Sequence, residues 1–250
     1  VTSPRPDIRV CEDPAALARR GAEGFAELAR RAVAARGRFA VALAGGSTPR
    51  GAYARLAAPP FSEAIAWDKL HCFWGDERCV PPGHPDSNYG MASAALLSKV
   101  PLPPGNIHRL RGEQADPERA AADYARDLAD FFGLAEGGLP RFDLILLGLG
   151  EDGHTASLFP GTAALGETRR WVVANDVPHL SAARLTLTFP VLNNAAHVLF
   201  LVSGVAKAAA FREIALGRPG AERLPAHRVR PADGSLAWLV DRAAAGDLPL

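Results

Sequence analysis

The sequence predicts an α/β fold on a mostly parallel sheet, and two patterns carry that expectation. Short, continuous apolar runs recur, each closing on glycine or polar residues: FAVALA (39–44), LHCFWGDER (70–78), RFDLILLGLG (141–150) and HVLFLVSG (197–204). Helical patterns near 90–99, 117–132 and 205–216 separate or follow them. An apolar run without alternation is the mark of a strand covered on both faces, and strands alternating with helices give parallel pairing. RLTLTF (184–189) differs, because its strict apolar and polar alternation predicts a half-buried strand, at an edge or in a small antiparallel patch.

The first element is a helix. Asp13 can cap it, Pro14 suits its first turn, and Leu17, Gly21, Phe25, Leu28 and Ala32 share one face until Gly37 ends it. After the strand at 39–44, Ser47, Thr48 and Pro49 open a second helix that turns Tyr53 and Leu56 inward. AWLVD (237–241) reads as a last strand. There is no internal repeat or low-complexity linker, and the Pro/Gly stretches 80–85, 101–105 and 217–220 read as ordered loops. One domain over 1–250 is expected.

With 250 residues, 48% of them hydrophobic, folding can bury roughly 70–75% of the unfolded chain's surface. The three cysteines, Cys11, Cys72 and Cys79, form neither a CxxC pair nor a Cys/His cluster, so no disulfide framework or metal site is expected. The opening residues hold no signal-peptide-like apolar stretch, and no later run reaches the ~18 apolar residues of a membrane helix. A soluble protein of the cytoplasm is expected. The 28 basic and 27 acidic residues leave a net charge of +1, which favours neither nucleic acid nor membrane. Arg19, Arg20, Arg30, Arg31, Arg36 and Arg38 alternate with Glu23 and Glu27 at helical spacing and read as a solvated face.

In open parallel sheets, ligands bind beyond the carboxyl ends of the strands, so the polar residues just past each apolar run are the candidates. GGSTP offers Gly45, Gly46, Ser47 and Thr48 at a helix start, where backbone N–H groups and two hydroxyls can hold an anion. GLGEDG (148–153) satisfies G-x-G-x-x-G, but Pro160 and Gly161 leave no room for the long helix a dinucleotide fingerprint opens. No nucleotide cofactor is expected. His154 follows that loop directly, and an imidazole, with an ordinary pKa of about 6.5, can take a proton from water near neutrality. Asp152 or Asp76 would orient it. Arg78 can meet a carboxylate, a phosphate or a developing oxyanion. Glu77 is expected in an internal network with arginine, and Asn88 as loop scaffold. Arg184 opens the alternating strand, and Lys207 falls in the first turn of a helix, where a cation opposes the helix dipole and a bound phosphate would offset the cost.

Taken together, GGSTP, FWGDERCVPPGHPDSNYGMA, FDLILLGLGEDGHTASLFPGT, NDVPHLSAARLTLTF and VSGVAKA resemble, in order and spacing, the 6-phosphogluconolactonase family, over residues 39 to 210. The resemblance implies a Rossmann-like sheet with helices on both faces, related to glucosamine-6-phosphate deaminases and isomerases. It also implies cofactor-free hydrolysis of 6-phospho-glucono-lactone in the oxidative pentose phosphate pathway. By the match, His154 is the catalytic histidine and Arg78 the active-site arginine, while Arg184 and Lys207 fall at positions associated with the phosphate. The only partner it implies is the small phosphorylated lactone, handled by a monomer or weak homodimer. No GxSxG elbow or convincing cysteine nucleophile is present, so direct attack by water is expected. Two other readings share the motifs. An amino-sugar-phosphate deaminase would continue past DGH with an Asn-Glu-Pro element, where this chain has Ser157, Leu158, Phe159 and Pro160. A non-catalytic sugar-phosphate sensor would have no need of His154.

Overall fold

The computed structural model describes residues 7–135, 137–178, 182–217 and 220–248. Part of the 217–220 stretch and of the NDVPHLSAARLTLTF motif therefore lies outside the described residues. The strands are β1 (Asp7–Cys11), β2 (Phe39–Leu43), β3 (Leu70–Trp74), β4 (Asp76–Arg78), β5 (Leu144–Leu147), β6 (Val172–Val177), β7 (Ala182–Leu187), β8 (His197–Val202) and β9 (Ser235–Asp241). The helices are α1 (Pro14–Arg36), α2 (Ser47–Leu56), α3 (Phe61–Ala64), α4 (Asn88–Ala95), α5 (Pro117–Phe132), α6 (Phe189–Leu192), α7 (Ala208–Leu216) and α8 (Arg242–Ala245).

Six strands form a parallel sheet in the order β1-β9-β8-β5-β2-β3. The chain builds outward from its centre in two directions, β2 to β3 one way and β5 to β8 and β9 the other. The switch point thus lies between β2 and β5, whose residues are all buried. Successive side chains of a strand face opposite sides of its sheet. Leu199 and Leu201 of β8 pack near Gly24 and Gly21 of α1. The intervening Phe200 stacks on Trp238 at 3.8 Å, and Trp238 meets Phe211 of α7. Helices accordingly cover both faces. α1 ends as its sequence directs: the Asp13 carboxylate accepts from the Ala16 N–H, and Gly37 closes the helix with φ 73°.

A second sheet is antiparallel, in the order β4-β7-β6. Residues 184–187 of RLTLTF lie in its central strand, Thr188 is the N-cap of α6 and Phe189 opens that helix; 185–189 are all buried, so the strand is covered on both faces rather than half-buried. The run 70–78 is two strands, because Gly75 breaks it and sends β4 from the parallel sheet into the antiparallel one. Two strands were not legible. β1 is an edge strand with Val10 42% exposed, so its DIRVC sequence lacks the apolar run of a buried strand. β6 carries Asn175 and Asp176, residue types that strands disfavour, because the buried Asn175 amide serves a polar contact described below. The helical patterns at 90–99 and 205–216 resolve into α4 followed by a 3₁₀ turn, and a 3₁₀ turn (Val205–Lys207) leading into α7. Lys207 therefore occupies the N-cap of α7 rather than its first turn.

His71 and His108 sit under α5, ring nitrogens 3.1 Å apart, with His108 stacked on Phe73 at 4.2 Å. Burial lowers both imidazole pKa values, that of His108 to about 4 with a further push from His71. An unfolded histidine takes up its proton below about pH 6.5, so the unfolded state binds more protons as pH falls from there towards 4. Folding stability should fall through that window by on the order of 1–2 kcal/mol, allowing for the partial exposure of the pair. Denaturant midpoints measured from pH 7.5 to 4 would show the slope, and His108→Leu should flatten it. An equal slope in the variant would remove His108 as its source.

Candidate active site

A cavity of about 230 Å³ opens at the switch point, beyond the carboxyl ends of β2, β5 and β8. The expected residues Gly45, Gly46, Ser47, Thr48, Asp76, Arg78, His154 and Lys207 line it. Asp152 stands behind His154, and Arg184 beside Arg78, both off the lining.

The GGSTP turn is shaped by two glycines. Gly46, with φ 100°, is the N-cap of α2 and brings no capping side chain, so the first-turn N–H groups of Ser47 and Thr48 have no helical acceptor. Gly45 lies against Asn88: a Cβ there would come within 1.8 Å of the Asn88 side-chain oxygen. Asn88 in turn donates its amide to the Asp76 carbonyl at 2.9 Å, so it is the scaffold expected of it, joining the β2 and β3 loops.

Glu77 does not pair with arginine. Its Oε1 accepts from the N–H groups of Arg78 (2.8 Å) and Asn88 (2.7 Å), and Oε2 from Tyr89 N–H (2.8 Å) and the Ser87 hydroxyl (3.1 Å). It caps the N-terminus of α4, where four unmet N–H groups attract a carboxylate more closely than a mobile guanidinium would. Arg78 is left to donate to the Asp86 carbonyl at 2.5 Å. Across the antiparallel ladder Arg78 is the partner of Arg184. Burial chiefly, and then the Arg78 charge, lowers the Arg184 pKa.

On the opposite wall Lys207 Nζ lies 3.4 Å from the exposed Glu151 carboxylate. Ser203 and Gly204, just before it, are held by the buried Asp241 at the end of β9, through the Ser203 hydroxyl (2.5 Å) and the Gly204 N–H (3.1 Å). Asp241 escaped the sequence reading, although the strand-end rule applied to AWLVD points to it.

After β5 the chain turns back on itself through a Gly150 N–H to His154 carbonyl bond of 2.8 Å and a Gly153 N–H to Gly150 carbonyl bond of 3.1 Å. No helix follows to present its N-terminus to a pyrophosphate. The tight turn brings His154 Nδ1 to 2.6 Å from Asp152 Oδ1, which also accepts the His154 backbone N–H at 3.0 Å. Of the two candidate carboxylates, Asp152 therefore orients the imidazole. Burial works against an ionised Asp152, yet the bonds from His154 and the imidazole charge outweigh it and hold the carboxyl below its ordinary range. Phe159 stacks on the imidazole at 4.0 Å, a contact no sequence pattern announced. With Nδ1 committed to Asp152, Nε2 is the nitrogen left for chemistry. Among the described residues, no three His, Cys, Asp or Glu side chains converge as they would around a metal ion.

Residues 12–238 match the family described as glucosamine-6-phosphate isomerases/6-phosphogluconolactonase. The chain belongs to this family. Its relatives include the 6-phosphogluconolactonase of Synechocystis sp., 45% identical with 87% of this chain and 88% of that protein covered. The 6-phosphogluconolactonase of Nostoc sp. is 40% identical, covering 96% and 98%. Among solved structures, 6-phosphogluconolactonase from Trypanosoma cruzi superposes with a TM-score of 0.88 at 30% identity, over 100% of this chain and 99% of that one. The parallel sheet with its antiparallel companion is the fold expected, and the family is the one the motifs resemble. The family's description spans two chemistries, and within this site the segment after His154 separates them. There Ser157 is bonded to Asp76 and Phe159 lies on the imidazole, in place of the Asn-Glu-Pro element expected of a deaminase.

Proposed function

We propose that this chain hydrolyses 6-phospho-glucono-lactone to 6-phosphogluconate with His154 as general base. The observation that carries the reading is the Asp152–His154 pair, which leaves Nε2 as the basic nitrogen on a cavity whose other walls hold an open helix start and cations. The 6-phosphogluconolactonase relatives support the same substrate. A water hydrogen-bonded to Nε2 loses its proton to the imidazole as its oxygen attacks the lactone carbonyl, and the carbonyl π pair moves onto oxygen. Asp152 stabilises the imidazolium, while Arg78 or nearby backbone N–H groups receive the oxyanion. Collapse breaks the bond from the carbonyl carbon to the ring oxygen, which leaves with the proton returned by His154. The step needs neither covalent intermediate nor cofactor. Turnover of the phosphorylated lactone by the purified protein, above its spontaneous hydrolysis, is the direct test, and its absence would end the proposal.

The phosphate is assigned to the GGSTP turn and Lys207, with Arg184 reinforcing Arg78 at the rim. A dianion there would meet the orphaned N–H groups of α2 and the Lys207 ammonium. Lys207 would then exchange Glu151 for phosphate. Because a contact remote from the carbonyl binds ground and transition state alike, Lys207→Ala should raise KM about 10- to 100-fold and change kcat less than about threefold. Steady-state kinetics with both constants unchanged would remove Lys207 from the site.

We place the enzyme in the cytoplasm, in the oxidative pentose phosphate pathway, as a monomer or weak homodimer. Cys11, Cys72 and Cys79 are free thiols, in keeping with a reducing compartment. Among the described residues, no helix is long and apolar enough to cross a membrane.

A further inference from the structure

Every strand of the antiparallel sheet bonds to Ser157 of the His154 loop, and Asn175 of β6 also donates to Thr162 further along it at 3.0 Å. The Ser157 hydroxyl donates to Asp76 Oδ2 of β4 at 2.7 Å, its N–H donates to Thr186 Oγ1 of β7 at 3.2 Å, and its carbonyl accepts from Asn175 Nδ2 of β6 at 2.8 Å. Ser157 is 1% exposed, and Asp76, Thr186 and Asn175 are likewise buried. All three polar groups of one side chain and its peptide are thus fixed by three different strands.

The residue before it is the one the clamp constrains. Ala156 has φ 48°, alone among the described non-glycine residues in adopting a positive value. It is the second residue of a four-residue turn closed by a Leu158 N–H to Thr155 carbonyl bond of 2.9 Å, a position at which positive φ is normally left to Gly, Asn or Asp. Such a conformation persists only where its surroundings over-determine it, and it concentrates at functional sites. Here Thr155 donates to the Gly148 carbonyl at 2.9 Å on one side, and Ser157 is clamped on the other. Ala156 lines the cavity beside His154.

We propose that Ser157 is a positioning residue through which the antiparallel sheet holds the Ala156 turn, and with it the His154 imidazole, against the cavity. Asp76, although it lines that cavity, acts through Ser157 rather than on the substrate. The carboxylate suits this work, since a charged acceptor strengthens a hydroxyl's bond and fixes its direction. The inference rests on the assignment of His154 as base. The small sheet thereby enters the mechanism indirectly, since it supplies no residue that moves a proton and aims the one that does.

Kinetic constants for Ser157→Ala, Asp76→Ala, Asp76→Asn and the Ser157→Ala/Asp76→Ala double variant test the clamp. Each alanine variant should lower kcat about 10- to 100-fold with KM within about threefold, because misplacing a base costs rate and spares phosphate binding. The double variant should be no worse than the poorer single, since both remove the Ser157–Asp76 bond and the other Asp76 carboxylate contact, from Asn88 Nδ2 at 3.4 Å, is already lost in Asp76→Ala. Asp76→Asn, whose amide oxygen still accepts from Ser157, should return to within about fivefold of the parent. Wild-type kcat in Ser157→Ala overturns the proposal. So does an Asp76→Asn protein as impaired as Asp76→Ala beside a mild Ser157→Ala, which would put Asp76 on the substrate itself. If Ser157→Ala does not fold, Thr186→Val weakens the same clamp isosterically, and an unchanged kcat there overturns it equally. Combining Ser157→Ala with His154→Ala separates the two readings. Near-normal turnover in His154→Ala alone refutes the base, whereas a further loss on adding Ser157→Ala refutes action through His154.

Discussion

His154→Ala should lower kcat by about 10²- to 10⁴-fold, the usual worth of general-base assistance, with KM little changed. The imidazole touches Asp152 and Phe159, and the anion-holding elements, GGSTP and Lys207, stand on other walls of the cavity. The loss should therefore fall on the chemical step. Direction with pH follows from the same geometry. Asp152 is held below the ordinary carboxylate range and adds no limb near neutrality, so activity should decline towards acid along a single limb as the proposed base takes up a proton. His154→Ala should lose that limb. The lactone also opens spontaneously, and faster in alkali, so an enzyme-free rate is subtracted at each pH. A folded His154→Ala protein with near wild-type turnover after that subtraction would sink the mechanism and leave the phosphate assignment standing.

How much of this was legible in the sequence depended on whether a feature announces itself locally. The parallel strands β2, β5 and β8 did, because burial on both faces forces an unbroken apolar run, and α1 did, because cap, face and stop all lie within its own residues. The site was readable for a topological reason: strand ends converge at a switch point whatever their distance in sequence, so GGSTP, Asp76, Arg78, His154 and Lys207 could be named from their places after apolar runs. What stayed hidden was pairing. Nothing local decides whether Glu77 meets an arginine or the start of α4, or whether Asp76 faces His154 or Ser157 across 81 positions. The strand β6 failed for a related reason. Its Asn175 weakens the strand pattern because the residue is spent on a tertiary bond to Ser157. Asn175, a polar residue that looks wrong for its strand, is thus one that holds the His154 loop, and local propensity yields to that bond.

The glycine beneath the imidazole carries the second large effect. A Cβ added to Gly150 would lie 2.0 Å from His154 Nδ1 and 2.6 Å from Asp152 Oδ1, closer than real Cβ contacts allow. Gly150 has an unexceptional φ, so backbone strain does not set its identity. What does is the space under the Asp152–His154 pair. In Gly150→Ala the methyl group must displace the ring, the carboxylate or both. The imidazole is about one-third exposed and can swing outward, so the fold should survive with its thermal midpoint little changed. Orientation should not survive. Loss of the 2.6 Å bond leaves the tautomer and direction of the base unset, and a misplacement near 1 Å is worth about 10² in rate. Gly150→Ala should therefore reduce kcat about 10²-fold with KM held within a few-fold, approaching His154→Ala while leaving the histidine present. Adding Gly150→Ala to His154→Ala should cost nothing more, because the methyl then meets an empty place. An active Gly150→Ala enzyme would show that the pair does its work from another arrangement, and a further loss in the double variant would show that Gly150 serves the site by some route other than the imidazole.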